Sequence, residues 1–378
     1  MLADLNAAKS SRKGAVVEGT NEKFSLAWKR YKSYLMSIGI VDNWYLDNLS
    51  RDKKHKILGA FCNAIRESRL HSKSVRINKS DSVRAALDNV SQAFKLAGRA
   101  DPRLDRNGKF AFILQRQLRG YRTADPPERQ QKAISGEVLR EFHRLALSNI
   151  DKARCELFIG AFFFAMRSCE YLTVQGRRKT KLLAVKNICF FLGRKCMDHS
   201  DANLHLASSV SITFEEQKRG TKNDTISHQR TNDELLCPVK IWCKIIKRIV
   251  SYQETTKETT VNVFRMSNGS LYKFTGKDLL IHLRRAADSL GPDVLGYTSD
   301  KIGLHSARSG AAMAMYLAGV PVFTIMLLGC WASDAFLRYI RKEIQEFSNS
   351  VSSMMIQNNR FFTIPEPVGS NATSRPGT

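Results

Sequence analysis

A polar segment in the first half of the chain constrains the fold most strongly. The stretch Tyr121–Ala133 (YRTADPPERQQKA) contains Asp-Pro-Pro, and proline both disfavours helix in the residue before it and lacks a backbone donor. The 378 residues suffice for two domains, each with its own core. We therefore predict a linker over residues 121–134 between an N-terminal body, residues 21–120, and a C-terminal body, residues 135–347. Residues 1–20 are predicted to be a flexible arm, and residues 348–378 a C-terminal tail.

The N-terminal body shows helical periodicity throughout. Apolar residues recur at spacings of three and four, with small or polar residues at the ends of each run. Four amphipathic helices joined by short loops predict a small helical bundle, and its surface is rich in Lys and Arg. The predicted helices run from Asn21 to Gly39, from Ser50 to Ile65, from Ser80 or Asp81 to Gly98, and over about Lys109–Gly120.

The C-terminal body mixes helices with a few strands. Ser135 is predicted to cap a helix through Leu147, and Asp151 a strongly apolar helix through Met166. β-Branched and aromatic content predicts a small antiparallel sheet, so the fold class is mainly α with a small antiparallel β-sheet. The predicted strands are Leu182–Leu192, Leu204–Phe214 and Thr225–His228, with a charged turn at Glu215–Asp224; the further helices begin at Pro238 or span Gly276–Leu290, His305–Ala318, Val322–Leu328 and Ser333–Phe347.

The charge of the chain favours a polyanionic partner. There are 60 Lys and Arg against 35 Asp and Glu, which gives a net charge of +25. The excess is spread along the chain, because residues 1–132 hold 27 basic and 13 acidic residues and the remainder holds 33 and 22. This distribution predicts two basic folded bodies and does not fit a single basic tail. A solvated basic surface without a partner is the alternative.

The cysteines predict neither a disulfide framework nor a metal site. Eight cysteines lie scattered without C-x-x-C pairs, which in a chain of this length predicts reduced thiols in an intracellular protein. Cys189, Cys196 and His199 match no common zinc spacing and lack a fourth ligand. The longest apolar run, Leu157–Met166, is too short to span a bilayer, so we expect no membrane association.

Five short sequence elements in the C-terminal body follow an order that suits phosphodiester chemistry. Arginines clamp the non-bridging oxygens of a phosphate by charge-assisted, often bidentate hydrogen bonds. A tyrosine supplies a nucleophile, while histidine and lysine move protons. No single element is rare, whereas the set is. The set comprises Arg167 with Glu170 in AMRSCE, Lys218 in the charged turn, His305 and Arg308 in LHSARSG, Trp331 in LGCW, and Tyr339 in FLRYIR.

Taken alone, each of these residues also has a structural interpretation. Arg167 and Glu170 would form an ion pair after an apolar helix, and an isolated tryptophan or tyrosine is usually a packing residue. A single lysine is usually solvated, and Lys222 rivals Lys218 on the same turn. His305 and Arg308 have the i, i+3 spacing that puts two side chains on one helix face, near an N-terminus where phosphate is favoured.

These motifs resemble those of one protein family. Residues 135–345 resemble the catalytic domain of tyrosine recombinases of the phage integrase type, and residues 21–120 resemble their helical core-binding domain, on helix count and charge alone. TFEEQK, LLCPVK and GCWASDAFLRYIR are similar to the recombinases of Crypton and DIRS-like eukaryotic mobile elements. The resemblance implies a site-specific recombinase or integrase that works through a 3′-phosphotyrosyl intermediate. It implies no cofactor, metal or ATP.

The resemblance also implies roles for the residues. Arg167 and Arg308 would bind the scissile phosphate, and Glu170 would support the site. His305 would act as general acid and base, Lys218 would protonate the leaving 5′ oxygen, and Tyr339 would be the nucleophile.

Trp331 would donate its ring N–H to the phosphate. Its spacing to Tyr339 is one residue shorter than in bacterial members, which would put Cys330 in that position. The mobile-element members share the Gly-x-Trp form, and a thiol is a weak donor, so we assign Trp331.

The partners follow from the same resemblance. We expect double-stranded DNA as the ligand, a homo-tetramer on DNA and a monomer when free, with residues 348–378 able to dock on a neighbouring subunit. The eukaryotic features favour the nucleus over the cytoplasm or nucleoid, and the basic run Arg177–Lys181 is either an import signal or a DNA contact. The alternatives are a type IB topoisomerase and a catalytically inactive DNA-binding relic.

Overall fold

The order of elements divides the fold into an all-helical part and a mixed part. The computed structural model describes residues 18–70, 76–127, 131–174, 180–217, 222–329 and 331, together with residues 4, 6, 7 and 11. Buried apolar residues form two separate clusters, one over residues 27–114 and the other over residues 134–331. The predicted domain boundaries at residues 21, 120, 135 and 347 remain predictions.

The N-terminal cluster is built by four helices. Ser50 caps the second helix by accepting a hydrogen bond from the backbone N–H of Lys53. Aromatic rings fill the centre, where Tyr31 lies 5.3 Å from Phe61 and 6.2 Å from Phe94 between ring centroids. The helices are α1 (Glu18–Ser37), α2 (Arg51–Arg66), α3 (Ser80–Leu96) and α4 (Phe112–Ala124).

Both ends of the predicted linker pack against a folded body. Helix α4 starts three residues later than predicted and continues to Ala124, four residues into the segment predicted to be linker. Asp125 then pairs with Arg66 and accepts from the backbone N–H of Ser80 at 2.8 Å. The hydrogen bond from Ser80, ahead of the contact with Arg66, lowers the pKa of Asp125 to about 2. The aspartate before the two prolines is therefore an anchor of the N-terminal cluster.

The C-terminal cluster places helices around a four-stranded sheet. The sheet is antiparallel, with strand order β2-β1-β3-β4, and β5 and β6 form a separate hairpin. The fold is mainly helical with a small antiparallel sheet, as predicted. The strands are β1 (Ile188–Leu192), β2 (Lys195–Met197), β3 (Ser209–Glu216), β4 (Lys222–Gln229), β5 (Val263–Arg265) and β6 (Leu271–Lys273).

Four helices of this part have twelve or more residues, and the others are shorter. The predicted Gly276–Leu290 and Val322–Leu328 are confirmed to the residue, and the helix predicted from Pro238 is present. The predicted helix Ser333–Phe347 lies outside the described residues. The helices are α5 (Gly136–Arg144), α6 (Asn149–Phe163), α7 (Ser168–Tyr171), α8 (Pro238–Val250), α9 (Gly276–Leu290), α10 (Pro292–Leu295), α11 (Ser306–Leu317) and α12 (Val322–Leu328).

Several predicted boundaries are wrong. The predicted strands from Leu182 and Leu204 begin later, because short 3₁₀ turns occupy Val185–Asn187 and Ala202–Leu206. Helix α5 ends three residues before Leu147, and α6 is capped by Ser148, whose hydroxyl accepts from the N–H of Asp151, so Asp151 is not the cap. Strands β2, β5 and β6 were not predicted; each has three residues, too few for a periodic signal.

Other structural features bear on the predicted partners. Within the described ranges, no helix is long and apolar enough to cross a membrane, and no group of His, Cys, Asp or Glu is placed to hold a metal ion. The seven described cysteines are all free thiols.

Candidate active site

The first candidate arginine follows a strained turn. Helix α6 ends at Phe163, and Ala165 adopts φ +45°, a left-handed conformation that costs a non-glycine residue about 1–2 kcal/mol. The N–H of Met166 donates to the carbonyl of Ala161 at 3.0 Å, which closes the turn. Arg167 was predicted at the end of this helix; it is instead the N-cap residue of α7. The turn reverses the chain and brings Arg167 to the surface of the core.

Glu170 holds both the backbone and the side chain of Arg167. One carboxylate oxygen accepts from the Arg167 backbone N–H at 2.7 Å, and the other accepts from Nη1 at 2.8 Å. The side chain of Glu170 is 3% exposed and that of Arg167 is 13% exposed, so the pair is largely removed from water. Such a pair fixes the direction of the guanidinium more than it stabilises the fold. The ion pair between Glu170 and Arg167 is present, as the structural alternative also predicted, and the supporting role of Glu170 stays a prediction.

Gln217 adds a second contact to the same guanidinium. Its amide oxygen accepts from Nη1 of Arg167 at 3.3 Å, and the residue is buried. Gln217 follows the end of β3 and directly precedes Lys218 in the sequence. No role for Gln217 was predicted from the sequence, where its position directly before Lys218 was the available signal.

Arg308 lies at the third position of α11 and is buried at 3% exposure. Its guanidinium donates to the backbone carbonyls of Ala165 and Gly329. The first of these carbonyls belongs to the left-handed Ala165, two residues before Arg167, so the turn at Ala165 connects the two arginines. A planar guanidinium can bridge two carbonyls in this way because its N–H donors diverge at fixed angles.

The two arginines line one narrow cleft, which has about 150 Å³ of empty space and no room for a water molecule. Residues from α7, the end of β3, β4, α11 and α12 meet there, which makes the cleft a product of the tertiary fold. The cleft is bordered by Phe164, Arg167, Glu170, Phe214, Gln217, Ile226, Arg308, Leu328 and Gly329. The structure thus brings together three of the predicted site residues: Arg167, Glu170 and Arg308.

His305 differs from Arg308 in burial. It is the N-cap residue of α11 and is exposed, whereas Arg308 one turn later is buried. The two residues have the predicted i, i+3 spacing, but the side chain of His305 faces solvent and that of Arg308 lies in the core. His305 is at the solvent-facing end of the helix that carries Arg308.

Trp331 packs on Arg308. The guanidinium carbon lies 4.2 Å from the centroid of the indole ring, within the range of a cation–π contact. The residue is 7% exposed, and a β-carbon on Gly329 would collide with its ring, so a glycine at 329 allows the ring to fold back. The ring belongs to the core cluster, as the structural alternative held, and also contacts the second arginine. Its role as a donor to phosphate stays a prediction.

The remaining predicted residues are only partly described. Lys218, Cys330 and Tyr339 lie outside the described residues. Lys222, the rival of Lys218, is exposed and starts β4, opposite Glu216 of β3. The predicted hairpin is therefore confirmed, and the choice between the two lysines stays open.

The tyrosine beside Glu170 is unsuited to be a nucleophile. Tyr171 is fully buried, and its hydroxyl has no hydrogen-bond partner among the described residues. Burial, and then the charge of Glu170, raise the pKa of its phenol strongly. Neither ionisation nor access to a substrate is favoured there, so this tyrosine has a packing role.

Comparison with known proteins identifies the fold. No protein-family model and no curated protein sequence matches the chain. A fragment of the Tn1549 transposon integrase, solved in complex with transposon right-end DNA, superposes with a TM-score of 0.50 at 11% identity, covering 93% of this chain and 98% of that one. The XerH site-specific recombinase, bound to a palindromic difH substrate, gives a TM-score of 0.48 at 14% identity, covering 88% and 79%. A lambda integrase dimer bound to a core site gives 0.41 at 14%, covering 85% and 78%.

The first of these similarities extends over both clusters of this chain. At 11% identity it shows a shared fold, and the helical N-terminal part is included in the 93% that superposes. The structural neighbours are recombinases and integrases.

Proposed function

We propose that this protein is a site-specific DNA recombinase or integrase that cleaves and rejoins DNA strands through a 3′-phosphotyrosyl intermediate. The observation that carries the proposal is the cleft in which Arg167, Glu170 and Arg308 meet, although Arg308 is 141 positions from Arg167 in the sequence. Two arginines at one cleft suit the binding of a single phosphate. The fold shared with the DNA-bound Tn1549 integrase fragment supports the same conclusion.

The chemistry would proceed by exchange of one ester for another. The Tyr339 hydroxyl attacks the phosphorus, the bond to the 5′ oxygen breaks, and a bond from phosphorus to the phenol oxygen forms. His305 accepts the phenolic proton, and Lys218 donates a proton to the leaving 5′ oxygen. The number of phosphoester bonds is conserved, so rejoining is the reverse reaction with a new 5′ hydroxyl.

The arginines and the tryptophan would act by electrostatics. Charge builds on the non-bridging oxygens in the transition state, and fixed donors stabilise it without reorganisation. Glu170 and Gln217 keep the Arg167 guanidinium in one orientation, while the carbonyls of Ala165 and Gly329 do the same for Arg308. Trp331, stacked on Arg308, would add its ring N–H.

The test is covalent trapping on DNA. Full-length protein is incubated with a randomised library of nicked duplexes, on which the cleaved fragment diffuses away and the adduct accumulates, and products are separated on a denaturing gel. We expect a slow-migrating protein–DNA adduct that is lost in Tyr339→Phe. The control Tyr252→Phe, at a site remote in sequence from the candidate residues, should retain it.

The outcomes separate the alternatives. An adduct lost in Tyr339→Phe but retained in Tyr252→Phe supports the proposal. Absence of an adduct despite salt-sensitive DNA binding would replace it with the non-catalytic DNA-binding relic. An adduct accompanied by relaxation of a supercoiled plasmid, without exchange between two duplexes, would favour the type IB topoisomerase.

Finer features are proposed on the sequence resemblance. These are membership of the Crypton or DIRS-like recombinases, a nuclear location, and assembly of a tetramer on DNA from free monomers. Light scattering of the free protein and of the trapped complex tests the assembly. A free mass near 42.7 kDa that rises fourfold, apart from the DNA, on the trapped substrate is the expected result.

A further inference from the structure

The end of the linker packs against the helix that carries His305 and Arg308. The N–H of Lys132 donates to the carbonyl of Lys301 at 2.9 Å, and the N–H of Ile134 donates to the carbonyl of Ser306 at 3.4 Å. The hydroxyl of Tyr297 donates to the carbonyl of Ala133 at 3.1 Å. Residues 131–134, which we call the linker latch, are therefore tied to the C-terminal body along their length.

A glycine in α11 permits this close approach. A β-carbon at Gly310 would lie 3.1 Å from the backbone nitrogen of Ile134 and 3.0 Å from its Cγ1, and closer still to its carbonyl oxygen. Backbone atoms cannot move aside as a flexible side chain can, so any larger residue would push the latch away from the helix. Ile134 itself is buried in the core cluster. The backbone of the latch thus packs directly against the backbone of α11 at Gly310.

The latch also completes the start of α11. In many helices the third residue is Glu or Gln, which reaches back and accepts from the backbone N–H of the N-cap residue. Here the third residue is Arg308, a cation without an acceptor. The side-chain oxygen of Gln131 accepts from the His305 N–H instead, at 3.2 Å, and the Gln131 side chain covers Gly303.

We propose that Gln131 is a positioning residue for His305. The inference rests on the proposed function, because it assigns Gln131 to the same reaction. An exposed imidazole at a helix start is directed by the backbone of that residue, and the Gln131 oxygen is a fixed point for that backbone. Loss of the acceptor leaves the N–H to water and lets the first turn of α11 fray, which moves the imidazole relative to the phosphate.

The first arm of the test measures the contact without reference to activity. Hydrogen–deuterium exchange of the full-length protein is followed in peptides that span residues 303–309, for the wild type, Gln131→Ala and Gln131→Glu. We expect faster exchange in Gln131→Ala and wild-type exchange in Gln131→Glu, because a carboxylate oxygen still accepts. The control Gln253→Ala, an exposed glutamine in the turn after α8, should leave this region unchanged.

The second arm measures the rate constant of adduct formation in a single turnover at saturating nicked DNA. We expect Gln131→Ala to lower it about tenfold, the effect of losing one hydrogen bond in the transition state, with the DNA dissociation constant unchanged. Gln131→Glu should restore most of the rate. In a His305→Ala background, Gln131→Ala should have no further effect, because a positioning residue has nothing left to position.

The two arms of the test separate failure of the positioning role, of the contact and of the proposed function. An equal loss of rate from Gln131→Ala in the presence and absence of His305 overturns the positioning role and leaves a general structural one. Unchanged exchange in Gln131→Ala overturns the contact itself. If exchange responds as expected but the wild type forms no adduct on any duplex, the proposed function fails, and the role of Gln131 in catalysis fails with it.

Discussion

Two helices begin at the candidate site with a candidate catalytic residue at the N-cap, and their starts are stabilised differently. Arg167 begins α7, and its backbone N–H is bound by Glu170 three residues later. His305 begins α11, and its N–H is bound by Gln131, 174 residues away. The first start is specified by four consecutive residues, whereas the second depends on the linker being seated. The start of α7 at Arg167 is therefore determined by neighbouring residues in the sequence. The start of α11 at His305 depends on a contact that the tertiary fold makes.

The two arginines are held differently as well. Arg167 is bound by a carboxylate and an amide oxygen, so its charge has a partner of opposite sign. Arg308 is bound by two backbone carbonyls and stacks on an indole ring. Side chains hold the first arginine and main-chain geometry holds the second, so substitutions should affect the two in different ways.

The largest effect is expected from Glu170→Ala. Removing one member of a buried ion pair leaves Arg167 uncompensated, and we expect the free energy of unfolding to fall by about 3–5 kcal/mol. Urea denaturation at neutral pH measures it. Glu170→Gln, which keeps an oxygen acceptor at the helix start, should lose less; a loss below about 1 kcal/mol in Glu170→Ala would show that the pair is not desolvated.

Arg308→Lys is expected to come next. An ammonium cannot bridge two diverging carbonyls, so one of the buried acceptors at Ala165 and Gly329 would lose its partner, at about 2 kcal/mol of unfolding free energy. The same urea experiment applies. Arg167→Lys is the matched variant and should lose about 1 kcal/mol, because a lysine can still pair with Glu170. Equal losses of unfolding free energy in the two variants would contradict the idea that the two arginines are held in different ways.

A pH effect is expected on the Arg167 side of the comparison. His228 packs edge-on against Phe164, with ring centroids 4.6 Å apart, and its Nε2 is buried without a partner. Burial lowers its pKa below the ordinary 6.5, outweighing a hydrogen bond with the Phe163 backbone that opposes the shift. The unfolded chain therefore binds the proton more readily, and stability present above pH 6.5 is lost as the pH falls through the folded-state pKa.

The check is the urea midpoint at pH 7.5 and pH 5.5. The wild type should lose more stability on acidification than His228→Leu, which has no ring to protonate. Hydrogen exchange at pH 5.5 should increase around Phe164 more than around His305. A wild-type loss no greater than that of His228→Leu would contradict this assignment.

The smallest effect on stability should come from Gln131→Ala. Gln131 and the His305 N–H are near solvent, so water replaces the lost bond, and we expect a loss below about 0.5 kcal/mol in the urea experiment. Because Gln131→Ala should hardly change the free energy of unfolding, a lower rate of DNA cleavage in this variant would not be due to unfolding. A loss above about 2 kcal/mol would show that the latch is a core element of the fold.

Periodicity predicted every described helix of seven or more residues and missed the elements of three or four residues. Gly276–Leu290 carries an apolar stripe over several turns, and Thr275 caps it by accepting from the Asp278 N–H, so its bounds follow from local chemistry. The start of the strand predicted from Leu182 was wrong because apolar residues in a buried 3₁₀ turn are indistinguishable from those of a strand. The position of Arg167 was missed for a related reason, since the apolar run continues through the turn at Ala165.

The sequence by itself determined the helical framework, the excess of basic charge and the identity of the candidate residues. Each of these depends on interactions within a few residues or on composition. Only the tertiary structure decided that Arg167 and Arg308 share a cleft, that Arg308 binds a carbonyl 143 residues away, and that Gln131 completes the start of α11. Contacts at such separations depend on how whole elements pack, and no local pattern of residues encodes them.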